Sequence, residues 1–144
     1  MVKILIVEDD PLLVGLYEKS FKLAGYEAET AFNGREGFEK LELMDKKPTV
    51  ILSDIMMPEM NGLEFLEKIK ANPNLKNIPV IMLTNLAGDK DAERALSLGA
   101  ITYLVKSQYQ PKEVVAKVKE LIGAYTRDGE VPETKVVIKK LGKK

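Results

Sequence analysis

Short apolar runs separated by stretches of helical period constrain the fold of this chain more than any other feature. The runs occupy residues 4–7, 50–52, 80–83 and 101–105. Runs that are apolar at successive positions are typical of strands covered by helices on both faces. The segment 26–31 alternates instead with Glu27 and Glu29, which indicates a strand at a sheet edge. The pattern therefore predicts an α/β fold with five strands and five helices.

Side chains that can cap helices mark where three of the helices begin. Asp10, directly before a proline, is a typical N-cap for a first helix. Asn33 with Glu36, and Asn61 with Glu64, repeat the spacing of a capping box. We therefore expect helices to start after Asp10, Asn33 and Asn61.

The last two helices differ in their apolar faces. A fourth helix, from about residue 89 to 98, carries a thin apolar face and stops at Gly99. A fifth begins near Pro111, and its pattern fails after Gly123. We therefore predict one domain over residues 1–124, followed by a basic tail over residues 125–144. The tail is interpreted as frayed, or alternatively as a short strand that docks on this domain or a neighbour.

The composition removes several kinds of chemistry. The chain has no Cys and no His, which excludes disulfides, thiolate nucleophiles and imidazole-based sites. Lys and Arg total 22 and Asp and Glu total 22, so no bulk field attracts nucleic acid or an anionic membrane. No apolar run approaches the length of a membrane span. We expect a cytoplasmic protein whose chemistry uses carboxylates, hydroxyls and cationic side chains.

Side chains that can bind a metal ion or a phosphoryl group lie at the ends of the predicted strands. Glu8 and Asp9 follow the first predicted strand. Asp54 lies at the end of the third strand, Thr84 at the end of the fourth, and Lys106 follows the fifth. In an open parallel sheet, these ends meet at the edge where ligands bind. Clustered carboxylates repel one another unless a cation lies between them, and an oxygen-ligand site suits Mg²⁺. A hydroxyl and an ammonium beside them favour a phosphoryl group as the ligand. Asp10 is interpreted as a cap and Ser53 as structural.

These residues, in this order, resemble the receiver domains of bacterial two-component response regulators over about residues 2–124. The resemblance rests on these motifs: residues 4–11 (Ile-Leu-Ile-Val-Glu-Asp-Asp-Pro), residues 54–58 (Asp-Ile-Met-Met-Pro), Asn61-Gly62, Thr84, residues 98–100 (Leu-Gly-Ala) and residues 103–106 (Tyr-Leu-Val-Lys). It implies a flavodoxin-like, doubly wound (βα)5 fold with a five-stranded parallel sheet in the order 2-1-3-4-5. It also implies the stand-alone architecture of chemotaxis-type receivers.

The resemblance implies a role for each site residue. Asp54 is the phosphoacceptor, taking the group from a sensor histidine kinase or a phosphotransfer protein. Mg²⁺ is bound by Asp9, Asp54 and the backbone carbonyl of Met56, and by Glu8 through water. Lys106 neutralises charge on the phosphoryl oxygens. The domain is thus a phosphoacceptor switch that catalyses only its own phosphorylation and dephosphorylation.

A switch between two surfaces is also implied. Thr84 turns toward the new phosphoryl group, and Tyr103 rotates into the space it leaves; from the residues alone, Tyr103 is a half-buried aromatic of an edge strand. The surface of the fourth helix, fifth strand and fifth helix then contacts a downstream protein. A phosphorylation-dependent homodimer is a further expectation. No DNA-binding domain follows, so we expect no direct contact with nucleic acid. The balanced charge and the short apolar runs likewise lead us to expect no membrane partner.

Two positions depart from the family pattern, and three other functions stay open. Asn85 replaces the usual small residue, and Ser107 replaces the usual proline, so we expect a trans bond before Ser107. An aspartyl phosphatase would need a second acid where Met56 stands. A flavin-binding module would need a phosphate loop without the acidic residues 8–10. A phosphorylation-independent scaffold would not need the intact set of site residues.

Overall fold

The fold described by a computed structural model covers residues 2–85 and 90–128. The strands are β1 Lys3–Val7, β2 Glu27–Ala31, β3 Val50–Asp54, β4 Val80–Thr84 and β5 Thr102–Val105. The helices are α1 Pro11–Leu23, α2 Gly34–Leu43, α3 Gly62–Ala71, α4 Lys90–Ser97 and α5 Pro111–Asp128. A 3₁₀ turn, Lys106–Gln108, follows β5. The strands form one parallel sheet in the order β2-β1-β3-β4-β5, which confirms the predicted flavodoxin-like topology.

Successive side chains of the central strands point to opposite faces of the sheet and build a core on each. One core contains Leu5, Val7, Ile51, Met82 and Tyr103, with residues of α2, α3 and α4. The other contains Ile4, Ile6, Leu52, Leu83 and Leu104, with residues of α1 and α5. Burial on both faces explains why these strands carry apolar residues at successive positions.

The predicted caps begin the first three helices. The Asp10 carboxylate accepts a hydrogen bond from the Leu12 N–H at 3.0 Å. At α3, Asn61 and Glu64 form a complete capping box. At α2, Asn33 accepts from the Glu36 N–H, but the Glu36 carboxylate accepts from the N–H of Phe32 instead of the cap residue. All three starts agree with the sequence prediction.

Several boundaries differ from the predicted ones. Helix α5 continues through Gly123 to Asp128, past the residue at which its pattern was predicted to fail. A single glycine costs a helix only about 1 kcal/mol, which neighbouring residues can offset. The start of the fourth helix at residue 89, and tail residues 129–144, lie outside the described residues.

Two further predictions concern the burial of Tyr103 and the peptide bond before Ser107. Tyr103 is 4% exposed, so the prediction of a half-buried side chain was wrong. Its ring packs in the core beneath α4, because β5 is covered on that face as well. The described chain has no cis peptide bond, in agreement with the expectation for Ser107. Among the described helices, none is long and apolar enough to cross a bilayer.

Candidate functional site

The register of the sheet brings the ends of four strands to one edge. Asp54 is the last residue of β3 and lies opposite Leu83, next to Thr84 at the end of β4. Thr84 in turn lies opposite Val105, which precedes Lys106. Glu8 directly follows β1, whose last residue pairs with Ser53. The chain therefore gathers at this edge the polar residues that the sequence had singled out.

The Lys106 ammonium bridges two buried carboxylates. Its Nζ lies 2.6 Å from Oε1 of Glu8 and 3.1 Å from Oδ2 of Asp54. The Glu8 and Asp54 residues are 1% and 3% exposed, so both charges are largely removed from water. When both carboxylates are ionised, one ammonium cannot neutralise them, and the cluster carries an excess negative charge.

Hydrogen bonds from the backbone fix how each carboxylate is oriented. The other oxygen of Glu8 accepts from the Asp10 N–H at 3.1 Å. Oδ1 of Asp54 accepts from the Ile55 N–H at 2.8 Å, which leaves Oδ2 facing Lys106. The buried Ser53 hydroxyl donates to the Asp54 backbone carbonyl at 2.9 Å, consistent with the structural role predicted for it.

Burial shifts the ionisation of all three groups. It raises the pKa of Glu8 from 4.5 to about 7, against the opposing hydrogen bond with Lys106. Burial also raises the pKa of Asp54, against the attraction of the same ammonium. For Lys106, burial by itself lowers the pKa, but the hydrogen bond with Glu8 and the charge of Asp54 outweigh it and leave that pKa raised. A positive charge added near the carboxylates would favour their ionised forms.

A third carboxylate opens the cluster to solvent. Asp9 is exposed, yet one of its oxygens lies within 4.8 Å of oxygens of Glu8 and Asp54. Three carboxylates at this spacing form a donor set suited to a hard divalent cation such as Mg²⁺. Their buried excess of negative charge gives a cation a reason to bind.

The remaining candidate residues surround this cluster at different depths. Thr84 is buried at the end of β4, and Tyr103 is buried in the middle of β5. Met56 lies in the loop between β3 and α3, and the residue is 63% exposed. Asn85 and Ser107 are exposed next to Thr84 and Lys106. The fold thus brings Glu8, Asp9, Asp54 and Lys106 into one cluster.

Sequence comparison places this arrangement in a known family. The model of the response regulator receiver domain matches residues 4–119. This chain belongs to that family. Receiver domains are signalling switches of two-component systems, and Mg²⁺ binding at an acidic pocket is typical of them.

Individual relatives of this receiver domain fall into two groups. The "Transcriptional regulatory protein CpxR homolog" of Haemophilus influenzae is 38% identical over 85% of this chain, which spans 51% of that protein. "Chemotaxis protein CheY1" of Helicobacter pylori is 32% identical over 85% of this chain and 98% of its own length. The chain spans about half the length of the CpxR homolog and of two other transcriptional regulatory proteins that it matches.

Solved structures agree with the fold of this receiver domain. The chemotaxis response regulator CheY4 of Vibrio cholerae has a TM-score of 0.76 and 31% identity, covering 83% of this chain and 98% of its own. A CheY-like receiver from Methanospirillum hungatei has a TM-score of 0.77 and 31% identity, over 89% and 98% of the two chains.

One residue of the receiver site was quoted in a motif but given no role from sequence. A Cβ added to Gly62 would overlap the Asp54 backbone carbonyl oxygen and would lie 2.8 Å from the Cα of Ile55. The Gly62 N–H donates to the Ile55 carbonyl at 2.7 Å. Glycine is therefore required where α3 starts against the end of β3. An Asn-Gly pair after a strand was the available signal.

Proposed function

We propose that this receiver domain accepts a phosphoryl group on Asp54 and thereby changes the surface it presents to protein partners. The observation that supports it best is the pair of contacts from Lys106 to Asp54 and Glu8. An ammonium held beside a buried carboxylate can neutralise the oxygens of an incoming phosphoryl group. The donor is a sensor histidine kinase or a phosphotransfer protein.

The proposed transfer needs a nucleophile held in one orientation. A carboxylate oxygen of Asp54 forms a bond to phosphorus while the bond between phosphorus and the donor nitrogen breaks, and the electron pair leaves with that nitrogen. The Ile55 N–H holds Oδ1 of Asp54, and Lys106 lies beside Oδ2. Asp54 therefore enters the reaction without a large reorientation.

Asp9, Asp54 and the Met56 backbone carbonyl are proposed to hold Mg²⁺ directly, and Glu8 through a water molecule. The spacing of the three carboxylates supports this ligand set. When bound, the ion supplies positive charge to the phosphoryl oxygens. Glu8 and Lys106 keep the charge of the site balanced from its buried side.

The proposed output is a shift between two arrangements of the α4, β5 and α5 surface. Thr84 is buried at the end of β4, beside the acceptor strand, and its hydroxyl is proposed to bond a phosphoryl oxygen. Tyr103 lies on β5 and packs in the core that contains Ala92 and Ala95 of α4. Because these residues are small, α4 packs weakly on the sheet, and a modest free energy from phosphorylation can shift the helix. The readers are a downstream protein or a second copy of the domain.

Phosphorylation with a small donor tests the acceptor directly. The protein is incubated with Mg²⁺ and acetyl phosphate, and its intact mass is measured. We expect a phosphoryl adduct on the wild type and none on Asp54→Asn. Asp10→Asn is the matched control, because Asn also caps helices well and should leave the adduct in place.

The same experiment separates the competing functions. A wild type that gains no adduct, although it binds Mg²⁺, would favour a phosphorylation-independent scaffold. An adduct that persists on Asp54→Asn would place the acceptor elsewhere. Steady release of phosphate from a simple ester would revive an aspartyl phosphatase.

Removal of the exposed carboxylate tests the ligand set. We expect Asp9→Ala to weaken Mg²⁺ binding by roughly tenfold or more, since it deletes a direct ligand. Titration followed by amide chemical shifts measures the Kd. Asp10→Asn should retain the wild-type Kd, and an unchanged Kd in Asp9→Ala would exclude Asp9 as a ligand.

A further inference from the structure

The loop between β3 and α3, residues 55–61, is held from outside the site as well as from its own ends. At its ends, the Gly62 N–H donates to the Ile55 carbonyl, which closes the loop on itself. At its side, the Gly34 N–H at the start of α2 donates to the Met60 carbonyl at 2.9 Å. The first N–H groups of a helix have no partner within the helix, so this loop supplies one.

The contact between Gly34 and the loop leaves no room for a side chain. A Cβ added to Gly34 would lie 2.7 Å from the Met60 carbonyl oxygen and 2.9 Å from the Cβ of Phe65. Carbon atoms do not approach a backbone oxygen this closely, so the loop would have to move. Glycine therefore sets the separation between α2 and the loop.

The loop itself has little freedom to absorb such a movement. Pro58 fixes one backbone dihedral, and Glu59 adopts a left-handed conformation with φ of 64°. The Glu59 carboxylate lies 3.3 Å from the Arg35 guanidinium of α2, next to the Gly34 contact. A push on Met60 is thus passed along a short closed loop that also contains Met56.

We propose that Gly34 is a positioning residue for the Mg²⁺ site, acting through the loop that carries the Met56 carbonyl. The inference rests on the proposed function, in which that carbonyl is a ligand. Gly34 touches no ligand itself. It fixes the distance of α2 from the loop, and the loop fixes where the carbonyl lies.

Glycine-to-alanine variants of one helix test this. Gly34→Ala should raise the Kd for Mg²⁺ by roughly tenfold, as loss of outer support does at other metal sites. Gly37→Ala adds the same methyl to α2, but the nearest atoms to that methyl are side-chain atoms of Val7 and Phe65, at 3.1 Å or more, and not the loop backbone. It should keep the wild-type Kd. Urea unfolding in a chelator reports the stability of each variant separately.

Amide exchange of the wild type gives a second test that needs no variant. Saturation with Mg²⁺ should slow exchange of the Gly34 N–H several-fold, because coupling between two sites is reciprocal. The Gly37 N–H, which donates to the Asn33 carbonyl within the helix start, is the internal control and should not change.

The outcomes distinguish this inference from the proposed function. An unchanged Kd in folded Gly34→Ala, or unchanged exchange at the Gly34 N–H, would overturn the positioning role alone. If Gly34→Ala does not fold, the exchange measurement decides. A wild type that binds no Mg²⁺ would overturn the proposed metal site, and the positioning role with it.

Discussion

Glu8 carries a charge that the folded chain disfavours, because the side chain is almost completely buried. Burial raises the pKa of Glu8 to about 7 from 4.5. Between these values the folded state keeps a proton that the unfolded chain has released. In the metal-free protein, the contribution of Glu8 to the free energy of unfolding therefore falls as pH rises from about 4.5 to 7.

Glu8→Gln should remove this decline, since an amide keeps the acceptor for the Asp10 N–H but carries no charge. We expect the metal-free variant to exceed the wild type in free energy of unfolding by roughly 1 to 3 kcal/mol near pH 8, and by much less near pH 5. Urea unfolding at both pH values measures it. Glu67→Gln, at an exposed position of α3, should match the wild type. A difference that does not grow with pH would contradict the assignment.

The residue types at the strand ends could be predicted from sequence, but not the contacts between them. Glu8, Asp54 and Lys106 were singled out because a parallel sheet brings strand ends together. The bridge from Lys106 to both carboxylates could not be, since a lysine side chain has four rotatable bonds and several acids within reach. Nor could the clash that an added Cβ at Gly62 would meet, which depends on how α3 lies against β3.

At the scale of single elements, glycine has opposite effects in different helices. Gly15 lies in the interior of α1, exposed, and a Cβ added there meets nothing within 4 Å. Gly15→Ala should therefore raise the free energy of unfolding by about 0.5 to 1 kcal/mol. Gly62→Ala should lower it, because the methyl would overlap the Asp54 carbonyl. Urea unfolding compares the two, and a destabilised Gly15→Ala would contradict the expectation.

Element starts were predicted better than element ends. Asp10, Asn33 and Asn61 cap helices through local bonds that the sequence spells out. The end of α5 has no such signal: Gly123 looks like a stop, yet the helix passes through it to Asp128. Packing of Leu121 and Ile122 against the sheet supports the helix on the approach to that glycine.

At the scale of the whole molecule, the two cores on either side of the sheet account for the fold. The number of strands follows from the four apolar runs and the alternating segment 26–31, whereas the order of the strands does not, because equally apolar strands can exchange neighbours. The order 2-1-3-4-5 came from the family resemblance and is confirmed. This order places β1, β3 and β4 side by side and so brings Glu8 next to Asp54.

The extent of the cores also predicts which part of the chain the fold needs. The described members of both cores lie between Ile4 and Ile122. Since we predict one domain over residues 1–124, a chain ended after Asp128 should keep the free energy of unfolding and the Mg²⁺ affinity of the full chain. A chain ended after Glu120 loses Leu121 and Ile122, both buried, and should be less stable by roughly 3 kcal/mol or more. Urea unfolding of the two truncated chains measures this. If the chain ended after Asp128 were less stable than the full chain by a similar amount, residues 129–144 would belong to the folded unit.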